Sequence, residues 1–229
     1  MTELDLVSDY RATRARIVDR LAKLDEADAS RTVPACPAWS IHDAVAHVTG
    51  IAADLGAGRM PGSDTQAWID GHVSDRRDRP LGRLVDEWLG AGVEAFIERS
   101  ASGQLVLDVC AHEHDIFHAL GEVGDRESDA VHRCLFALSD LLRKDLLVKG
   151  APGAVALTSR GRSWTVGEGP VGLMLEAEPF DLLRIFGGRR SENQMRALPW
   201  QNADGSGADV GPWLGYLAHF PYPVADLVE

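Results

Sequence analysis

Leu105-Val-Leu-Asp-Val-Cys-Ala-His-Glu-His-Asp-Ile-Phe-His-Ala-Leu120 runs directly into Gly121, and its reading as a helix decides the fold. Apolar residues recur at three- and four-residue steps, and a glycine just past the last of them marks a common helix stop. At about 100° per residue, with His112 set to zero, Leu105 falls near +20°, Ile116 near +40°, Val109 near +60° and Ala119 near −20°. Asp108, at roughly −40°, and Asp115, at roughly −60°, lie on the same side. A carboxylate and an imidazole therefore stand one turn apart on the core-facing stripe. His114 and His118 fall near 200° and 240° beside Leu107, so they read as outward-facing and not as ligands, despite their i,i+4 spacing.

Working outward, the first two thirds of the chain carry the same helical texture. From Thr2 to about Leu24 the residues Leu4, Val7, Ile17, Val18, Leu21 and Leu24 mark an amphipathic helix. Thr32-Val-Pro-Ala-Cys-Pro-Ala-Trp39 has two prolines in four positions and reads as an extended linker. Ser40 with Asp43 then forms a cap-and-box start for a helix from Ile41 to about Gly56. His47 shares its stripe with Ala44, Val48, Ile51 and Leu55, so it points inward too. Trp68 to Arg77 reads as weakly helical. Pro80 opens a helix running through Leu84, Trp88, Val93 and Ile97. Ser128 caps another, which carries Val131, Cys134, Leu138 and Leu142 toward Gly150.

At Gly150-Ala-Pro-Gly153 the texture changes. Seven of the eleven prolines lie within or beyond it. So do the short β-type runs Ala154–Thr158, Ser163–Val166 and Val171–Glu176, the first two joined by Ser159-Arg-Gly-Arg162 as in a hairpin. A helix over Phe180–Phe186 and a polar loop over Asn202–Asp209 follow. The expectation is an α+β chain with an N-terminal up-down bundle of the four-helix type over 1–149 and a small α+β domain over 150–229.

Composition excludes several classes. The 229 residues are 45% hydrophobic and 25% charged, as in an ordinary globular protein. A formal net charge of −12 gives no electrostatic grip on nucleic acid or an anionic membrane. No apolar run approaches the roughly 18 residues of a membrane helix, and the acidic start Met-Thr-Glu-Leu-Asp is unlike a signal peptide. The expected compartment is the cytoplasm, with Cys36, Cys110 and Cys134 as reduced thiols. Cys36, flanked by Pro34 and Pro37, reads as a packed small residue with nothing nearby to activate it. Trp39 and Trp88 read as core or pocket wall. The sequence leaves the oligomeric state open.

Inward-facing His47, Asp108 and His112 are costly to desolvate. Two readings meet that cost: Asp108 pairs with His112 while His47 finds a carbonyl, or the three share a divalent cation. Two imidazoles and one carboxylate would leave coordination positions open, as catalytic sites do.

The stretch Val33-Pro-Ala-Cys-Pro-Ala-Trp-Ser-Ile-His-Asp-Ala-Val-Ala-His47 resembles the signature of the mycothiol-dependent maleylpyruvate isomerase family, DinB-like helical bundles in which a proline-flanked tryptophan leads into a helix with a metal-binding histidine. Asp108-Val-Cys-Ala-His112-Glu-His-Asp115 matches the family's second ligand run, with Asp108 where the family has Glu. The stretch around Trp164, Phe180-Asp-Leu-Leu and Gly-Gly-Arg189 is similar to its small sterol-carrier-like domain. The resemblance implies His47, Asp108 and His112 as ligands of a divalent metal, zinc first among them. Asp115, near His112 on the same face, reads as a partner that fixes the imidazole or as helix-end solvation; the resemblance implies Arg189 as a catalytic arginine reaching the site across the domain interface to grip a carboxylate. It further implies mycothiol as a small-molecule thiol that adds to an electrophilic substrate, in S-transfer or in cis-trans isomerisation of the maleylpyruvate type. The alternative from another class is a non-catalytic sensor or carrier that binds metal or a small ligand.

Overall fold

The computed structural model describes residues 5–101 and 103–229. Thr2 and Leu4, read above as part of the first helix, lie outside the described residues. The chain forms two compact units, one ending at Asp125 and the other running from Arg126 to Glu229. The fold is α+β: a helical first unit and a second unit built on a small sheet.

In the first unit, α1 (Leu6–Leu21) opens where Asp5 accepts the Ser8 N–H, and a single turn, α2 (Glu26–Ala29), follows it. The proline-rich stretch is not merely extended but pairs on itself, as β1 (Thr32–Val33) and β2 (Cys36–Ser40). Ser40 then caps α3 (Ile41–Gly56) with the reciprocal Ser40–Asp43 box. Next come α4 (Thr65–Ser74) and α5 (Leu81–Gly90), then α6 (Glu94–Ser100) and α7 (Gln104–Ala119). The single helix expected from Pro80 through Ile97 is two, because Gly92 takes a left-handed φ of +65° and turns the chain.

The bundle is organised around α3, which packs against α4, α5 and α7, while α7 also packs against α1. Close approach has a cause at Gly50, where a Cβ would stand 2.4 Å from His72 Cγ, so only glycine lets α4 seat there. Trp88 is wholly buried, and its indole N–H donates to Tyr10 Oη at 2.7 Å. Arg14, from the same helix as Tyr10, donates to Glu94 at 2.6 Å. Across the α1–α7 contact, Arg16 forks onto the fully buried Glu113 carboxylate, Nε to Oε1 at 2.5 Å and Nη2 to Oε2 at 2.7 Å.

The second unit begins with α8 (Asp129–Val148), capped by Ser128, and continues with β3 (Ala154–Ser159), β4 (Arg162–Val166) and β5 (Val171–Glu176). Its later helices are α9 (Pro179–Phe186), α10 (Glu192–Ala197) and α11 (Leu214–Leu217), with a 3-10 turn at Gly211–Trp213 before the last. The sheet order is β4-β3-β5, with β3 antiparallel to β4 and parallel to β5. Arg160 and Gly161 both have positive φ, 48° and 72°, which is the two-residue hairpin turn that matches strand twist. The boundary expected at Gly150 falls instead before Arg126. The reason is α8: it packs on α9 and β4, and Trp164 Nε1 donates to Ser139 Oγ at 3.0 Å, so the helix belongs with the sheet. No helix among the described residues is long and apolar enough to cross a membrane.

The Arg16–Glu113 fork gives a stability test. Arg16→Met leaves a buried carboxylate without its cation and is expected to lower unfolding stability by about 3–5 kcal/mol in urea titrations. Arg11→Met, which removes a 60% exposed partner of Glu94, is expected to cost under about 1 kcal/mol.

Candidate metal centre

The Ser40 capping box fixes where α3 begins, and that fixes His47 two turns in, on the face toward α7. On α7, Asp108 and His112 sit one turn apart. The three side chains converge: His47 Nε2 lies 3.5 Å and His112 Nε2 3.7 Å from the same Asp108 oxygen, Oδ1. One donor atom from each of the three falls within 4.8 Å of the others. Three donors held by one tetrahedral ion at about 2.0–2.2 Å would stand about 3.3–3.6 Å apart, so this spacing is close to that of an open shell. The shorter aspartate reaches both imidazoles because His112 shares its helix. The imidazoles are 5% exposed and the Asp108 carboxylate is 29% exposed, so the cluster meets solvent on the aspartate side.

Burial dominates the His47 electrostatics and holds its pKa below the ordinary value, against the pull of Asp108. A neutral imidazole is the form that can ligate a cation. His47 Nδ1 is buried without a hydrogen-bond partner. Behind His112 stands Asp115, fully buried, with Oδ2 3.2 Å from His112 Nδ1. The approach is within ion-pair distance but outside hydrogen-bond geometry, so His112 Nδ1, like His47 Nδ1, is buried without a hydrogen-bond partner. Trp39 walls the cluster, its ring centroid 4.9 Å from that of His47 and 5.9 Å from that of His112.

The structure adds residues that sequence reasoning missed. His72 on α4 is buried, with its ring centroid 6.3 Å from that of His47. Its Nε2 lies 3.1 Å from Asp54 Oδ2, which also accepts from Trp68 Nε1 at 2.7 Å, while Arg59 holds Oδ1. Burial works against ionisation of Asp54, but His72, Arg59 and Trp68 together hold its carboxyl below the usual range. Trp68 and His72 at i,i+4 were the available signal, obscured by the weak periodicity of their helix.

Three expectations need correction or placement. His114 is not outward-facing but buried, because α7 is covered on that side too; a far face that is also covered defeats an angle argument that assumes it is wet. His114 and Glu113 offer donor atoms beside Cys110, but both Glu113 oxygens are taken by Arg16. Cys36 is not remote from chemistry either, since the β1–β2 pairing brings its sulfur within 4.8 Å of donor atoms of His112 and Asp115. Arg189 lies in the second unit, where its Nη1 donates to Gly187 O at 2.5 Å.

The lowered His47 pKa has a signed consequence. The unfolded chain takes up a proton below about pH 6.5 while the folded imidazole stays neutral, so stability present above that value is lost as pH falls toward the lower folded value. With chelator present, the wild type should lose more stability between about pH 7.5 and pH 5.5 than His47→Gln, as read from urea midpoints.

Comparison with known proteins shows what the chain is similar to. Residues 10–103 match the family described as the mycothiol maleylpyruvate isomerase N-terminal domain. Two solved structures are similar over 90% of this chain and 94% of their own. One is the mycothiol-dependent maleylpyruvate isomerase, at 13% identity with a TM-score of 0.53. The other is a histidine-to-alanine mutant of a mycothiol-dependent maleylpyruvate isomerase, at 11% identity and 0.55. No curated protein matches the chain by sequence. Residues 10–103 are thus similar to the mycothiol maleylpyruvate isomerase N-terminal domain, and the chain shares its fold with the two mycothiol-dependent maleylpyruvate isomerase structures.

Proposed function

We propose that the chain is an enzyme holding a divalent cation, zinc first among them, between His47, Asp108 and His112, and activating a low-molecular-weight thiol for addition to an electrophilic substrate. The observation that carries this reading is the approach of Asp108 Oδ1 to both imidazole Nε2 atoms, at 3.5 and 3.7 Å. Mycothiol as the thiol comes from the names of the similar proteins. When bound, such a cation lowers the pKa of a coordinating thiol and holds it as thiolate at neutral pH.

The remaining work falls to side chains. His47, kept neutral by burial, offers a lone pair without first losing a proton. Asp108 supplies the one negative charge, leaving about one unit of positive charge to attract a thiolate, and its exposed side is the direction of entry. Asp115, with Oδ2 3.2 Å from His112 Nδ1, is the group placed to fix the ligating tautomer of His112. Trp39 excludes water from one flank of both rings. Arg189 is proposed to take a carboxylate of the thiol or substrate in its fork. An adduct that rotates about the former double bond and expels the thiol gives cis-trans isomerisation. One that keeps the new C–S bond and takes a proton gives S-transfer.

Protein purified without a histidine tag is expected to carry one divalent metal per chain, lost in Asp108→Ala and retained in His118→Gln. Asp115→Asn is expected to weaken metal affinity by about 10–100-fold. Adding mycothiol to cobalt-loaded protein should produce a thiolate-to-cobalt charge-transfer band. A spectrum blind to thiol while cobalt stays bound would remove thiol activation and favour a carrier or sensor.

A further inference from the structure

Arg184, on α9, has none of its side chain exposed. A guanidinium so placed is strongly unfavourable unless an anion meets it. Here the anion is the side chain of Glu229: Arg184 Nε donates to Oε2 at 2.9 Å and Nη2 to Oε1, while Arg190 Nη1 donates to Oε2 at 2.8 Å. Burial pushes the Glu229 carboxyl up, but the two arginines outweigh it and hold its pKa below the usual value. The carboxylate is thus gripped in the bidentate manner that arginine uses for organic acids.

The segment that carries Glu229 is held like a docked ligand rather than as part of a core. It belongs to no helix or strand. Gln194 Nε2 donates to Leu227 O at 2.7 Å, and Leu227 N–H donates to Gln194 Oε1 at 3.1 Å, so one side-chain amide reads a backbone unit in both directions. Ser191 Oγ donates to Asp226 Oδ1. Apolar burial is small: Leu227 is 8% exposed, but Val224 and Val228 are 104% and 82% exposed.

We propose that Arg184, Arg190 and Gln194 form a binding site for a small organic acid, and that the segment Asp226–Glu229 is an internal competitor that plugs it. The acid would set one carboxylate in the arginine fork, where Glu229 now lies, and a second acceptor oxygen at Gln194 Nε2, where Leu227 O now lies. A tethered occupant acts at an effective concentration of about millimolar, so a free acid meets a site whose open fraction is small, and its apparent affinity falls by that fraction. Removing the Glu229 carboxylate removes the competitor and leaves the fork intact. The proposal uses no feature of the metal centre and stands or falls separately from it.

The test is calorimetric titration of malonate into the wild type, Glu229→Ala and Glu229→Ala/Arg184→Gln. The expected result is binding at least about tenfold tighter in Glu229→Ala than in the wild type, and none in the double variant. Equal affinity in the wild type and Glu229→Ala overturns the proposal. Should Glu229→Ala fold poorly, the full chain lacking residues 226–229 is melted in malonate and in chloride at equal ionic strength. A rise in melting temperature specific to malonate and lost with Arg184→Gln supports the site. Equal stabilisation by both salts identifies an adventitious ion only and overturns it.

Discussion

Four consecutive titratable side chains, His112-Glu113-His114-Asp115, are all buried on one helix, and much of the first unit is arranged to make that tolerable. An uncompensated charge in a protein interior costs several kcal/mol, so each side of the helix needs a matching group. The α1 side supplies Arg16 for Glu113. Asp115 and His112 answer each other along the helix, at 3.2 Å. The α3 side supplies a second imidazole, His47, whose Nε2 approaches the same Asp108 oxygen as that of His112, so the donors between the helices face one another around a common point. A cation is the group that completes this arrangement in our reading.

Legibility followed from how local each signal was. The carboxylate and imidazole of the Asp108–His112 pair were visible because one turn of helix fixes their mutual placement whatever surrounds it. His47 was visible because the Ser40–Asp43 box and an unbroken apolar stripe fix both the start and the rotation of its helix. His114 was misread because periodicity shows which face is apolar but not whether the other face is also covered. Cys36 and His72 were illegible for a different reason. Each reaches the cluster through a tertiary approach, the β1–β2 pairing in one case and the Gly50–His72 contact in the other, and neither leaves a spacing in the sequence. The boundary at Arg126 was hidden likewise, since the apolar stripe of α8 does not name the surface it will cover.

Aspartate at position 108, where the resembling family has glutamate, still brings its carboxylate near both imidazoles. Its Oδ1 already lies at nearly equal distances from the two imidazoles. A shorter side chain has fewer rotamers to lose on ligation, and it holds the carboxylate closer to its own helix. The proximity of Cys36 to His112 and Asp115 then becomes the sharpest question about the chemistry, because a protein sulfur near the cluster could compete with an exogenous thiol for the same ion.

X-ray absorption at the zinc edge answers that question most directly. With zinc bound and no added thiol, the expected shell holds nitrogen and oxygen donors alone, at about 2.0–2.2 Å, including the outer-shell pattern of two imidazoles. Adding mycothiol should bring in one sulfur at about 2.3 Å. A sulfur scatterer present before any thiol is added, or a shell without imidazole, would contradict a centre made of His47, Asp108 and His112 that takes its thiol from outside.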